Sequence, residues 1–212
     1  MPGAWELPHP SVLVSILTRE TVTTAWAAAF RNLQIPPGGG IRWSYGAPFD
    51  PARNACCGGA LEGGFEYVFF LDDDIITPPD VISRLMARRL PIVSGTYFRR
   101  NSPFAPVAQV RDAQGLPCWL MKFDLNQLIE VDHVGAGCLL LHRSIFDKIK
   151  PPWFEWRCDR FDFPPHLRTS EDFAFCEKAQ EVGYKVILDT GVQCIHAGLA
   201  SSNIEGMKPL IV

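Results

Sequence analysis

The chain has 212 residues, 47% of them hydrophobic, with 20 Lys and Arg against 23 Asp and Glu for a net charge of −3. That content is enough for a sizeable core and excludes a disordered chain, and the length suits one domain, or one with an elaborated edge. The small negative charge excludes a long-range field that would draw nucleic acid or an anionic membrane, and no apolar stretch approaches the roughly 18 residues of a membrane span.

The start, Met1-Pro2-Gly3-Ala4-Trp5-Glu6, has no basic segment leading into an apolar one, so no signal peptide is expected and the chain reads as cytoplasmic. Val12 to Leu17 follows Pro8 and Pro10 and predicts a first strand, ended by the polar turn Thr18-Arg19-Glu20-Thr21. Thr21 to Leu33 predicts a helix with Ala25, Trp26, Ala29, Phe30 and Leu33 on one face, broken by Pro36-Pro37-Gly38-Gly39-Gly40. Ile41 to Tyr45 is a second strand. Pro51 to Glu62 is a second helix that starts near Pro51 and stops at Gly63-Gly64. Tyr67 to Leu71 is apolar, aromatic and β-branched, the signature of a fully buried strand.

Pro78 to Arg89 predicts a third helix, with Asp80 in its first turn, and Ile92 to Ser94 a short strand. The alternation argues for a parallel, doubly wound sheet. Residues 104 to 134 are broken by Pro106, Gly115 and Pro117 and read as short antiparallel strands. Cys138 to Leu141 is strand-like, Ser144 to Ile149 a short helix, and 151 to 170 a loop rich in Pro and aromatic residues. Glu171 to Val182 is a helix stopped at Gly183, and Lys185 to Leu188 a strand followed by a turn at Gly191. The seven cysteines are odd in number and lack any C-x-x-C spacing, so neither a disulfide framework nor a zinc site is expected. Cys138, Cys176 and the pair Cys56-Cys57 read as core packing.

Chemistry concentrates in a few places. Asp72, Asp73 and Asp74 stand directly behind the buried strand, at the sheet edge where open α/β folds bind ligands. Three adjacent carboxylates need a compensating cation or hydrogen-bond donors. A hard divalent ion that brings phosphates with it, Mg²⁺ or Mn²⁺, suits them. On an extended segment Asp72 and Asp74 would point one way and Asp73 the other. The bland alternative is an acidic turn that caps the next helix.

Glu171 and Asp172 open a predicted helix behind Ser170. There they either complement its dipole or serve as a rigidly held general base. His196, flanked by Ala197 and Gly198, is either a structural imidazole or a metal ligand that favours Mn²⁺ over Mg²⁺. Arg53-Asn54 is either a solvated helix face or a phosphate- or base-recognition pair. Val134-Gly135-Ala136-Gly137-Cys138 offers glycines where backbone can approach a substrate. Arg88-Arg89 and Arg99-Arg100 read as solvated, with Arg99-Arg100 also placed to meet an acceptor.

In this order the residues resemble a metal-dependent nucleotide-sugar glycosyltransferase of the GT-A fold, close to the family 2 type. The resemblance spans Ser15 to Arg19, Ala52-Arg53-Asn54, Phe70 to Asp74, Gly135 to Leu141, Ser170 to Cys176, and Asp189 to His196. It implies one Rossmann-like α/β domain over 1–212, a mostly parallel central sheet flanked by helices, with a small antiparallel acceptor-side extension. About 8–100 would form the nucleotide-binding half and about 101–200 the acceptor half. It implies an Asp-x-Asp motif, with Asp74 on the metal and Asp72 on metal or ribose. Asp73, Thr18, Arg19, Arg53 and Asn54 fall on the nucleotide side, Glu171-Asp172 on the acceptor side, and His196 completes the metal site. The donor would be a UDP- or GDP-sugar.

The chain ends at Val212, so the acceptor site is expected from 97–134 and 151–170, or from a partner subunit in a homo-oligomer. The aromatic segment Pro151 to Arg168 is expected as a mobile lid or acceptor wall. Two rivals remain at this level. A sugar-nucleotide-forming nucleotidyltransferase would bring a glycine-rich basic loop after the first strand, and Thr18-Arg19-Glu20-Thr21 has no glycine. A non-catalytic nucleotide-sugar-binding module would keep the fold without turnover.

Overall fold

Strand β1 (Val12–Thr18) is buried along its whole length. Its side chains alternate between two cores, Leu13 and Leu17 on one side of the sheet and Val12, Val14 and Ile16 on the other. This computed structural model describes residues 10–19, 21–157 and 169–197. Helix α1 (Thr24–Arg31) starts three residues later than the composition predicts, because the Thr23 side chain accepts the Trp26 amide at 3.1 Å and caps it there. Trp26 is buried, whereas Ala25 is exposed and not on the packing face.

Edge strand β2 (Gly40–Tyr45) pairs parallel with β1. Helix α2 (Phe49–Glu62) begins behind Pro48 and buries Ala52, Arg53, Cys56, Cys57 and Ala60. Strand β3 (Tyr67–Asp72) pairs parallel with the other side of β1 and splits its side chains as β1 does. The chain then makes the short strand β4 (Ile75–Ile76) and helix α3 (Val81–Met86). This helix is shorter than 78–89: Pro78 and Pro79 leave Asp80 at its N-cap rather than in its first turn, and Arg89 adopts φ 54° past its end.

Strand β5 (Ile92–Thr96) is followed by β6 (Ala108–Arg111), β7 (Pro117–Trp119), β8 (Leu128–Val131), β9 (His133–Val134) and β10 (Cys138–His142). A 3₁₀ turn over Arg143–Asp147 takes the place of the helix expected at 144–149. Helix α4 (Glu171–Glu181), strand β11 (Val186–Gln193) and strand β12 (Ile195–His196) complete the described chain.

The central seven-stranded sheet has the order β2-β1-β3-β10-β5-β11-β8. Strands β2, β1, β3, β5 and β11 run one way, and β10 and β8 the other. The sheet is therefore mostly parallel, as expected, with β10 and β8 as its antiparallel members. β10 returns from the second half of the chain and inserts between β3 and β5, burying Leu139, Leu140 and Leu141. Helices α1 and α3 cover one face, with Trp26, Val81, Ile82 and Leu85. Helices α2 and α4 cover the other, with Cys56, Cys57, Phe175 and Cys176. The small antiparallel sheet β7-β6-β9 lies apart, from the stretch expected to hold it.

Two local departures position the site. β11 does not turn at Gly191 but continues to Gln193 through a register shift after Asp189. That delivers β12 to β4 as an antiparallel pair, with His196 opposite Ile75. No helix among the described residues is long and apolar enough to cross a membrane.

Candidate active site

The carboxyl ends of β1 and β2 and the start of α2 enclose a cleft of about 650 Å³. Thr18, Arg19, Gly46, Phe49 and Trp156 line it. The Thr18 hydroxyl is buried beside this cleft and has no hydrogen-bond partner among the described residues. Arg19 is exposed, with its guanidinium 5.8 Å from the Phe49 ring centroid. Its amide donates to Asp73 Oδ2 at 3.3 Å, which ties the cleft wall to the acidic turn.

The acidic turn does not stay extended past Asp72, so Asp72 and Asp74 do not share partners on one side. Asp72 faces Arg53, whose Nη2 lies 3.1 Å from each carboxylate oxygen. Trp26 Nε1 fixes the Asp72 carbonyl at 3.0 Å, and the Asp72 amide donates to Gly137 O at 3.1 Å. Asp74 faces away, toward His196 and Arg100.

Arg53 is neither solvated nor open to a ligand; it is only 2% exposed. Its Nε meets Glu171 Oε1 at 3.3 Å, and its guanidinium carbon lies 5.2 to 6.0 Å from the Phe49, Phe70 and Phe154 ring centroids. Burial works against its charge, but Asp72 and Glu171 more than offset that and hold it protonated. One guanidinium thus serves two carboxylates, the buried Glu171 and Asp72, whose side chain is 20% exposed. Burial drives the Glu171 pKa up to about 7, helped by Asp172 and only partly countered by Arg53. Asp72 is also raised by burial, against the pull of Arg53.

A pH dependence follows. Glu171 ionises in the unfolded chain at roughly 4.3 and in the folded protein at about 7. Between these values the folded state holds a proton that the unfolded state has released, so stability is greatest below the window and falls as pH rises through it. Urea unfolding from pH 4.5 to 8 is expected to show this loss, on the order of 2–3 kcal/mol, and Glu171→Gln is expected to flatten it. A profile of equal slope in the variant would remove Glu171 as the cause.

Asn54 is likewise internal. Its Nδ2 donates to Asp50 O and Phe154 O at 2.8 and 2.7 Å, and its Oδ1 accepts from the Trp153 and Phe154 amides at 2.7 and 3.1 Å. It pins the segment expected as a lid. Phe154 is fully buried and stacks on Phe175 at 4.5 Å, so this part belongs to the core, while Trp156 is half exposed and lines the cleft. Residues 158–168 of that segment, with Arg160, Phe161 and Phe163, lie outside the described residues.

Gly135 and Gly137 make room for protein rather than ligand. A Cβ on either would meet the Tyr97 hydroxyl, at 2.1 and 3.1 Å. That hydroxyl accepts the Gly137 amide at 3.0 Å. Tyr97 in turn sets its ring edge-on to His196 at 5.5 Å.

His196 is fixed in tautomer as well as place. Its Nδ1 lies 2.8 Å from the Phe98 carbonyl, which can only accept, so Nδ1 carries the proton. Its Nε2 receives Arg100 Nε–H at 3.1 Å and so presents a lone pair. The 3.4 Å approach of Nε2 to Asp74 Oδ2 would be an ion pair only with a proton on Nε2, and the arginine N–H leaves no room for one. Arg100, read from the sequence as solvated or acceptor-facing, also bonds Asp74 directly. Nothing in the order of residues signals that contact.

Asp172 is half-buried at the start of α4. Its Oδ1 accepts from Ser170 Oγ and from the Phe173 amide. Phe173 packs between Trp119 and His133, and Arg99 lies over Trp119 at 4.2 Å.

Asp74 and His196 offer a hard oxygen and an unprotonated imidazole nitrogen 3.4 Å apart, both bonded by Arg100. That donor set fits a divalent cation whose other ligands come from a phosphate and water. Among the described residues no group of three His, Cys, Asp or Glu side chains is arranged to hold a metal by itself.

No protein-family model matches the chain. No curated protein matches it either. Solved structures do. A197 from STIV superposes with a TM-score of 0.68 at 14% identity, over 96% of this chain and 94% of that one. GalNAc-T7, solved with UDP, GalNAc and Mn²⁺, superposes with a TM-score of 0.56 at 10% identity, over 95% of this chain. This chain matches 45% of the length of GalNAc-T7. At these identities the likeness is one of fold, and that fold is GT-A-like.

Proposed function

We propose that this chain is a metal-dependent glycosyltransferase that moves a sugar from a nucleotide-sugar donor to an acceptor hydroxyl. The observation that carries the reading is the juxtaposition of two features at one sheet edge. One is the cleft beside the Thr18 hydroxyl, which has no hydrogen-bond partner among the described residues, and the other is Asp74 beside the unprotonated Nε2 of His196. The GT-A-like fold supports it, and GalNAc-T7, with UDP and Mn²⁺ bound, motivates a UDP- or GDP-sugar donor.

Thr18, Arg19 and Phe49 would take the nucleoside end, with Asp73 holding Arg19 in position. Asp74 and His196 would hold Mn²⁺ or Mg²⁺, which when bound stabilises the charge that develops on the departing nucleoside diphosphate. Asp72 is a less direct participant: clamped by Arg53, it sets the acidic turn and contributes negative charge behind the site. Asp172 would take the proton from the acceptor hydroxyl, and Glu171, held by Arg53, anchors the first turn of α4.

Titration calorimetry with UDP and with GDP is expected to show binding with Mn²⁺ present and a collapse in EDTA. His196→Ala is expected to weaken the Mn²⁺-dependent part without unfolding the protein, and to lose the preference for Mn²⁺ over Mg²⁺. Equal nucleotide affinity with and without the chelator would sink the metal-dependent reading.

A further inference from the structure

The two side chains that offer themselves to a cation are already bridged by one. Arg100 bonds Asp74 through Nη2 and donates from Nε to His196 Nε2 at 3.1 Å. Asp74 and His196 are held by backbone pairing. His196 sits opposite Ile75 in the β4–β12 ladder, and the Ala197 amide donates to Asp74 O at 2.7 Å. Arg100 stands instead in a bend after β5, and its side chain is 40% exposed. The acceptors are rigid and the occupant is long and half-solvated.

We propose that Arg100 is a built-in plug of the cation site. Its guanidinium fills the place between Asp74 and His196 while the cleft is empty of donor, and it yields that place when a diphosphate and a divalent cation arrive together. This deepens the proposed function and rests on it.

The physics is a competition for the same lone pairs. The Nε2 lone pair cannot serve Arg100 Nε–H and a metal at once, and Asp74 Oδ2 cannot face both at contact distance. Without a diphosphate, a released guanidinium has only water to meet. With one, it has phosphate oxygens that take its planar fork in two hydrogen bonds. The diphosphate therefore favours the exchange twice, by ligating the cation and by accepting the arginine. Apparent metal affinity is lowered by the fraction of molecules whose site is closed, so the plug makes cation binding weak alone and strong with nucleotide.

The test is Mn²⁺ binding, followed by electron paramagnetic resonance of the free ion, first with MnCl₂ alone and then with UDP or GDP. Arg100→Gln is expected to bind Mn²⁺ alone roughly tenfold tighter than the wild type, and the gap is expected to shrink to about threefold or less with nucleotide. Arg100→Lys keeps a charge but has one nitrogen for two acceptors, and is expected to gain only about two- to fivefold. Adding Asp74→Asn to Arg100→Gln is expected to abolish the gain.

Wild-type Mn²⁺ binding with Arg100→Gln no tighter would overturn the plug and leave the metal-dependent reading standing. A gain that survives Asp74→Asn would put the metal elsewhere and overturn it too. If neither protein takes up Mn²⁺ even with UDP or GDP, the metal-dependent reading fails first and the plug with it. Arg100 would then be a fixed counter-charge.

Discussion

Replacing Arg53 with methionine is expected to destabilise the protein by about 3–5 kcal/mol, the usual consequence of removing one partner from a buried ion pair. The guanidinium is 2% exposed and is the charged partner of both Asp72 and Glu171. Without it both carboxylates lose their cation, next to the apolar rings of Phe49, Phe70 and Phe154 that surround the guanidinium. A domain has about 5–15 kcal/mol of stability in total, so the loss is a large share.

Methionine keeps most of the volume, which separates the charge effect from a cavity. Urea unfolding at pH 7.5 measures it. The triple variant Arg53→Met, Asp72→Asn, Glu171→Gln is expected to recover at least half of the loss, because the stranded charges are gone. A single variant within 1 kcal/mol of wild type would mean that the triad adds little to folding. A triple variant no better than the single would assign the loss to packing.

Replacing Asp172 with asparagine is expected to lower turnover by about 10²–10⁴ while donor and Mn²⁺ affinity stay within a few-fold, as for removal of a general base. The two adjacent acids are separated by geometry. Glu171 is 4% exposed and tied to Arg53, which leaves it no path to an acceptor. Asp172 is half-buried, and only its Oδ1 is engaged by described residues, Ser170 Oγ and the Phe173 amide. Asparagine preserves the shape and the Oδ1 contacts but cannot accept a proton.

Release of UDP or GDP from a sugar donor, with water as acceptor and Mn²⁺ present, is the readout, and Glu171→Gln is the control. Full turnover in Asp172→Asn would rule out this base. Loss of Mn²⁺ binding in that variant would move Asp172 into the metal site.

Much of the scaffold was legible in the residue pattern. The buried run at β3, the helix that stops at Gly63, and the change of pattern after residue 100 each reflect burial or a backbone restriction acting within a few residues. Helix limits are less legible where a cap or a proline pair sets them, as at Thr23 and at Pro78-Pro79. The antiparallel return of β10 was not legible. A strand buried on both faces shows the same apolar run whichever way it points.

The sequence by itself determined which residues carry charge into the site, and on which elements: Asp72 to Asp74 behind a buried strand, Glu171 and Asp172 at a helix start, His196 late in the chain. Only the tertiary structure decided who meets whom. Arg53 is 118 residues from Glu171 in sequence and 3.3 Å from it in space, and Arg100 is 96 residues from His196. Pairings at that separation are set by sheet order and by the register shift in β11, which local propensity does not encode. For that reason Arg53 and Asn54, plausible ligand contacts in the sequence, are internal anchors in the fold, and Arg100, plausible as a solvated surface charge, sits between the two side chains best placed for a metal.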